Sequence, residues 1–121
     1  MRSVSFALEY LGVIALHLSG PEEARHYFVE ALQIAWDAQA MPRVLNALHG
    51  LARFYRLSGD AMQVAALARI VAAHPATEEQ TRTEAAALVG STGAVITEQE
   101  SFDDALETAV LSLLAGSADA P

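Results

Sequence analysis

The sequence predicts an all-α protein made of antiparallel helix hairpins. Apolar residues recur at intervals of three and four over most of the chain, which is the period of an amphipathic helix. Glycine, proline and aspartate interrupt these segments at positions where helices end and begin. A pattern of large, small and aromatic residues also occurs twice, which indicates an internal repeat.

The composition is that of one folded domain. The chain has 121 residues, of which 53% are hydrophobic and 18% charged. This length suffices for one core but not for two independent cores. The chain has no cysteine, which excludes disulfides, thiolate zinc sites and a cysteine nucleophile.

Four helices are predicted in the first part of the chain, over residues 4–18, 22–37, 42–58 and 60–73. In the turns at 18–21 and 57–60, Gly20 and Gly59 end one helix, and Pro21 or Asp60 begins the next. Such short turns join antiparallel neighbours, so we expect two hairpins over residues 1–75.

The C-terminal part, residues 76–115, is predicted to form helices that cap the hairpins. Thr77 and Gln80 fit a capping box that opens a helix ending near Val89, with Gly90 as its stop. A loop is expected over 91–96. Ser101 then caps a last helix, and residues 116–121 form a disordered tail. We expect the apolar stripe of this last helix to dock on the end of the second hairpin; the stripe comprises Phe102, Ala105, Leu106, Ala109, Val110, Leu113 and Leu114.

Charge is distributed unevenly. The net charge is −8, and residues 76–121 carry all of the excess, with nine acidic residues against Arg82. Phosphate binding needs a positive field, so nucleic acid is not an expected partner.

The start of the chain could be read as a signal peptide, but Glu9 interrupts its apolar run and no cleavage site follows. No apolar run is long enough for a membrane span, and we expect a cytoplasmic protein.

The repeated pattern consists of Leu8, Leu11, Gly12, Ala15, Gly20, Ala24, Phe28 and Ala31, and then of Leu48, Leu51, Ala52, Tyr55, Gly59, Asp60, Ala65 and Ala68. Gly12 and Ala52 are equivalent and lie 40 residues apart, against about 34 in a tetratricopeptide repeat. Small residues there allow the two helices of a pair to approach closely. Over residues 5–75 the chain resembles the tetratricopeptide repeat family, with Leu8 and Leu48 in place of the family's tryptophan.

This resemblance implies a short right-handed solenoid that binds a protein or peptide in a groove lined by the first helix of each pair. The segment 72–77, with the helix after Ser101, also resembles the end of repeat arrays in bacterial signal-transduction ATPases and transcription regulators. A parent chain with further repeats, such as a signalling ATPase, is therefore one expected partner.

By matched position, the groove is expected to present Phe6, Glu9, Val13, Leu16, His17, Asn46, His49, Arg53, Arg56 and Leu57. Arg53 and Arg56 lie one turn apart and could hold a carboxylate of a partner. Alternatively, they are solvated or pair with Glu9 or with an acidic residue of the tail.

The first helix is apolar on nearly all sides, which predicts that it is covered by other protein. We expect Leu8, Leu11 and Ala15 to face the second helix. The remaining apolar residues would then mediate self-association, most simply as a two-fold dimer; they are Phe6, Val13, Ile14 and Leu16.

No active site, metal site or cofactor is predicted. The histidines lack metal-ligand spacing, and no nucleophile elbow or phosphate loop occurs. Five aromatic residues at helical spacing are expected to pack in the core rather than to form a ligand cage; they are Tyr27, Phe28, Trp36, Phe54 and Tyr55. The function predicted is protein binding; the alternatives are a self-associating structural subunit and, more distantly, a carrier of a small ligand.

Overall fold

A computed structural model of the protein describes residues 2–18, 20–93 and 102–118, and side chains at 7–18, 20, 22–93 and 104–115. All the regular secondary structure in these ranges is α-helical. The helices are α1 (Arg2–Leu18), α2 (Pro21–Asp37), α3 (Met41–Ser58), α4 (Ala61–Ala73), α5 (Glu79–Thr92) and α6 (Phe102–Ala118). The first four lie within two residues of the predicted bounds.

The helices pack mainly against their neighbours in sequence. From α1 to α5, each helix contacts the next over much of its length. Helix α3 also lies beside α1 and α5, so these three form one layer, and α6 packs on α2 and α4 on the other side. The buried apolar side chains between the layers form one core, which includes Phe28, Leu32, Leu45, Leu48, Leu51, Leu67, Val71 and Val110. Tyr27, Trp36 and Tyr55 pack against it, and Phe54 is buried, which confirms the core assignment of these four residues and of Phe28.

Phe28 sets the closest approach of the first three helices. Its ring is buried between Gly12 of α1 and Gly50 of α3. A Cβ atom at Gly12 would lie 2.7 Å from the Phe28 ring, and one at Gly50 would lie closer still. Glycine is therefore required at both positions. The role of Gly12 was predicted. The small residue of α3 that meets Phe28 is Gly50, which is not part of the repeated pattern.

Helices α2 and α3 end with the same hydrogen-bond pattern but with different residues. After α3, the Gly59 N–H donates to Arg56 O and the Asp60 N–H to Tyr55 O, with Gly59 at φ 83°. After α2, Gln39 takes the left-handed position at φ 54°. Both are Schellman ends. The Asp60 carboxylate then accepts a 3.1 Å hydrogen bond from Gln63 N, which confirms it as the cap of α4.

The predicted capping box of α5 is wrong. Thr77 is buried, and its hydroxyl donates a 2.6 Å hydrogen bond to Val71 O instead of capping α5. Glu78 occupies the N-cap position without a side-chain cap bond. Its carboxylate turns to Arg43 and Asn46 of α3, so tertiary contacts replace the local ones.

The end of α5 and the docking of α6 also differ from expectation. Gly90 lies inside α5, which continues to Thr92 and ends at Gly93 with φ 80°. The predicted Ser101 cap and the rest of the loop after 93 lie outside the described residues. Leu106, Val110 and Leu113 are buried as predicted, but they pack on α2 and α4 together, because α5 already covers the flank of α4. Ala105 is exposed, and α6 extends into the predicted tail as far as Ala118.

The outer face of α1 was assigned in part to the wrong residues. Leu11 is 42% exposed and does not fill the contact with α2. Val13 and Leu16 are partly buried against the core, because they lie on the side of α1 that faces α2 and α3. Ala7, Tyr10 and Leu18 join Leu11 on the exposed face, and Ile14 is half-buried beside them.

Within the ranges described, no helix is both long and apolar enough to cross a membrane.

Candidate partner-binding groove

One face of α3 forms the floor of a groove between α1 and α5. Arg43, Asn46, His49, Arg53 and Arg56 recur along α3 at intervals of three and four residues, so they share one side of the helix. Polar groups of α1 and α5 meet these side chains from both walls.

The end of the groove nearest the start of α3 is closed by its own side chains. The Arg43 guanidinium lies 3.4 Å from the Glu9 carboxylate on α1 and also binds Glu78 at the start of α5. The Asn46 amide donates a 2.9 Å hydrogen bond to Glu78 and accepts one of 2.9 Å from the Thr81 hydroxyl. This network joins the three helices and engages both Glu9 and Asn46 within the protein.

Glu9 titrates abnormally in this network. Burial raises the pKa of its carboxyl to about 7; Arg43 opposes the shift, and the negative charge of Glu78 adds to it. The carboxyl therefore changes protonation near neutral pH, and its ion pair with Arg43 depends on pH in that range.

His49 occupies the middle of the groove. The residue is 8% exposed, and neither ring nitrogen has a hydrogen-bond partner among the described residues. Nε2 lies 3.6 Å from the Glu84 carboxylate of α5, which is too long for a hydrogen bond but within ion-pair distance. Burial lowers the pKa of His49; Glu84 acts to raise it, and Arg53 lowers it further.

The other end of the groove is open and basic. Arg53 and Arg56 both line two adjoining pockets, of about 360 Å³ towards α5 and about 510 Å³ towards α1. Over the described ranges no carboxylate lies within ion-pair distance of either guanidinium. Glu9, one expected partner, is bound to Arg43 instead.

Apolar and small side chains surround the two arginines. The pocket towards α1 includes Leu16, His17 and Leu57, and Leu57 is 61% exposed. The pocket towards α5 includes Ala87, Leu88 and Ser91. The open end thus offers two cations beside exposed apolar surface, an arrangement that can hold a carboxylate next to an apolar group.

The predicted groove residues divide into three groups. His17, Arg53 and Arg56 lie together at the open end, with Leu16 and Leu57. Glu9, Asn46 and His49 lie along the groove but contact or face groups of the protein itself. Val13 packs partly against the core, and the Phe6 side chain lies outside the described residues.

Sequence reasoning missed the wall formed by α5. Glu78, Thr81 and Glu84 contact or face groove residues of α3, and their intervals of three residues place them on one side of α5. Arg43 was missed too. The three-residue spacing is visible in the sequence, but the segment 77–80, which contains Glu78, was predicted to form a local capping box.

The four histidines do not converge. His26 lies on α2, where it pairs with Glu30 at 3.1 Å, and His74 Nδ1 accepts a 3.0 Å hydrogen bond from Ala76 N in the turn before α5. Among the described side chains, no three histidine or acidic groups are arranged to hold a metal ion.

Comparison with known proteins finds no family model, no curated protein and no solved structure that matches this chain.

Proposed function

We propose that this protein is a non-catalytic interaction module, a short right-handed stack of tetratricopeptide-like hairpins. It would bind an acidic segment of a partner protein in the groove between α1, α3 and α5. The repeated Leu, small-residue and Gly pattern supports the repeat assignment, together with consecutive helices that pack as neighbours. Helices α1 and α3 correspond to the first helices of the two hairpins, which is the groove-lining position in such repeats, and α5 lies beside α3 in the same layer.

The observation that carries the proposal is the contrast between the two ends of the groove. Arg43 already binds two carboxylates of the chain, whereas Arg53 and Arg56 bind none among the described residues. Guanidinium groups bind carboxylates through paired, charge-assisted hydrogen bonds. The exposed Leu57 beside them favours a ligand with an apolar side chain next to its carboxylate.

A peptide titration tests this proposal. The probe is an octapeptide of alternating glutamate and leucine, and its counterpart has glutamine in place of glutamate. We expect the acidic peptide to shift the amide NMR signals of the second half of α3, and the glutamine peptide to bind at least about tenfold more weakly, because charged hydrogen bonds contribute roughly 1.5–3 kcal/mol.

Two matched charge reversals locate the site. Arg56→Glu should weaken binding of the acidic peptide at least about tenfold. Arg25→Glu changes the net charge equally but lies on α2, which lines neither pocket, and it should leave binding nearly unchanged. Equal binding of both peptides, or equal losses in both variants, would contradict an acidic-ligand groove.

The outer face of α1 favours a second function, self-association as a structural subunit. Tyr10 is 63% exposed, Leu11 42% and Leu18 81%, and all three lie along one side of the helix. Contiguous exposed apolar surface of this kind is typical of interfaces. The residues that would pair are therefore these three rather than the predicted Val13 and Leu16.

Sedimentation velocity tests self-association. The unmodified chain should sediment as a dimer at micromolar concentration, and Leu11→Glu should shift it to a monomer. Met62→Glu, at an exposed apolar position of α4, is the control and should not change the assembly. A monomeric unmodified chain would exclude this second function and leave the groove proposal intact.

A further inference from the structure

His49 lies where it can sense a ligand at the open end of the groove. It lines the same pocket as Arg53, Arg56 and Glu84. Arg53 follows it by four residues on α3, so the two side chains lie one helical turn apart. The ring itself is buried, and both of its nitrogens lack hydrogen-bond partners within the described structure.

Few charged groups act on this ring. Of the described residues, Glu84 on α5 and Arg53 on α3 shift its pKa, and none on α1, α2 or α4, the other helices packed on α3, is among the causes. Glu9 of α1 pairs with Arg43 instead. His17 of α1 lines the pocket on the opposite side of Arg53 and Arg56.

We propose that binding of an anionic ligand at Arg53 and Arg56 is coupled to proton uptake by His49. This inference rests on the proposed function, because it concerns the same groove and the same acidic ligand.

The coupling follows from the charges around the ring. In the free groove, burial and the Arg53 cation both disfavour the charged imidazolium. A carboxylate bound to Arg53 offsets that cation and places a negative charge near the ring, so it removes part of the penalty. Glu84, 3.6 Å from Nε2, then stabilises the new charge. Because linkage is reciprocal, protonation of His49 must strengthen binding of the anion.

The acidic octapeptide measures this coupling. Its glutamates remain ionised between pH 8.0 and pH 5.5, so the ligand keeps its charge over this range. We expect the unmodified chain to bind it roughly fivefold or more tightly at pH 5.5 than at pH 8.0. Because Glu9 of the same groove also changes charge in this range, the histidine variants are compared in the Glu9→Gln background. There His49→Gln should abolish the pH dependence of the affinity, whereas His26→Gln, on α2, should leave it in place.

The NMR titration of the His49 ring gives a second readout that needs no substitution of this buried residue. Its midpoint should move to higher pH when the peptide is bound, and also in Arg53→Gln without peptide. If the midpoint stays unchanged or moves to lower pH in both measurements, the coupling is overturned.

Other outcomes separate this inference from the proposed function. Equal affinity at both pH values overturns the coupling and leaves the groove assignment standing. If the affinity still depends on pH in His49→Gln but no longer does in His17→Gln, then His17 takes up the proton, and the coupling to His49 is also overturned. No peptide binding at either pH removes the proposed function and the coupling together.

Discussion

Replacement of Gly50 by alanine gives the sharpest test of how the first three helices pack. The new Cβ would overlap the Phe28 ring, and that ring cannot move away freely because Gly12 holds it on the other side. Overpacking of a buried site costs typically about 1–3 kcal/mol. Alanine in place of glycine within a helix contributes up to about 1 kcal/mol in the opposite direction. We therefore expect a net loss of about 1–2 kcal/mol in the free energy of unfolding.

Gly90 provides a matched control for this substitution. It also lies within a helix, but a Cβ there would meet no atom within 4 Å. Gly90→Ala should therefore raise the free energy of unfolding by about 0.5–1 kcal/mol. Urea denaturation followed by circular dichroism measures both variants. Equal stabilisation by Gly50→Ala and Gly90→Ala would refute the account of the Phe28 contact.

A double variant separates the clash from other effects of the substitution. Phe28→Leu removes the ring atoms that meet the new methyl group, at its own cost from lost burial. If the clash is the cause, the loss from Gly50→Ala should shrink by about 1 kcal/mol or more in the Phe28→Leu background, as contacting residues are not additive. If the effects of the two substitutions on the free energy of unfolding are strictly additive, the loss from Gly50→Ala does not come from the clash with Phe28.

Three further substitutions give expected outcomes for stability. Gln39→Gly should raise the free energy of unfolding by roughly 1 kcal/mol in urea melts, because Gln39 holds the left-handed position that glycine holds in the turn at Gly59; an unchanged midpoint would contradict that strain. Folding raises the pKa of Glu9 from 4.5 to about 7, so the protonated carboxyl stabilises the folded state by up to about 3 kcal/mol. This stability is fully present below pH 4.5 and is lost as the pH rises through 7. Glu9→Gln should therefore gain stability over the unmodified chain between pH 5 and pH 8, and a constant difference would refute this. Leu106→Ala should lower the free energy of unfolding by about 2–5 kcal/mol. Leu111 is 50% exposed on the same helix, so Leu111→Ala should lower it much less. Similar losses in the two variants would show that α6 does not dock as described.

The sequence by itself determined the helices and most of their ends. Their period, the glycines at 20 and 59 and the Asp60 cap are local signals, and local signals determine which residues can form a helix and where it stops. The left-handed Gln39 and the continuation of α5 through Gly90 were not predicted. In both cases the residue type disfavours the observed conformation by only about 1 kcal/mol, so contacts elsewhere in the fold can decide it.

The sequence also indicated the arginine pair, because Arg53 and Arg56 share a face through spacing alone. Only the tertiary structure decided which polar residues of the groove are free to bind a ligand. Glu9, Arg43 and Glu78 lie on three helices and meet because those helices pack side by side. The same packing buries His49 beside Glu84 and leaves Arg53 and Arg56 open. Whether a charged side chain is already neutralised depends on distances between separate helices, and the sequence pattern of one helix does not contain those distances.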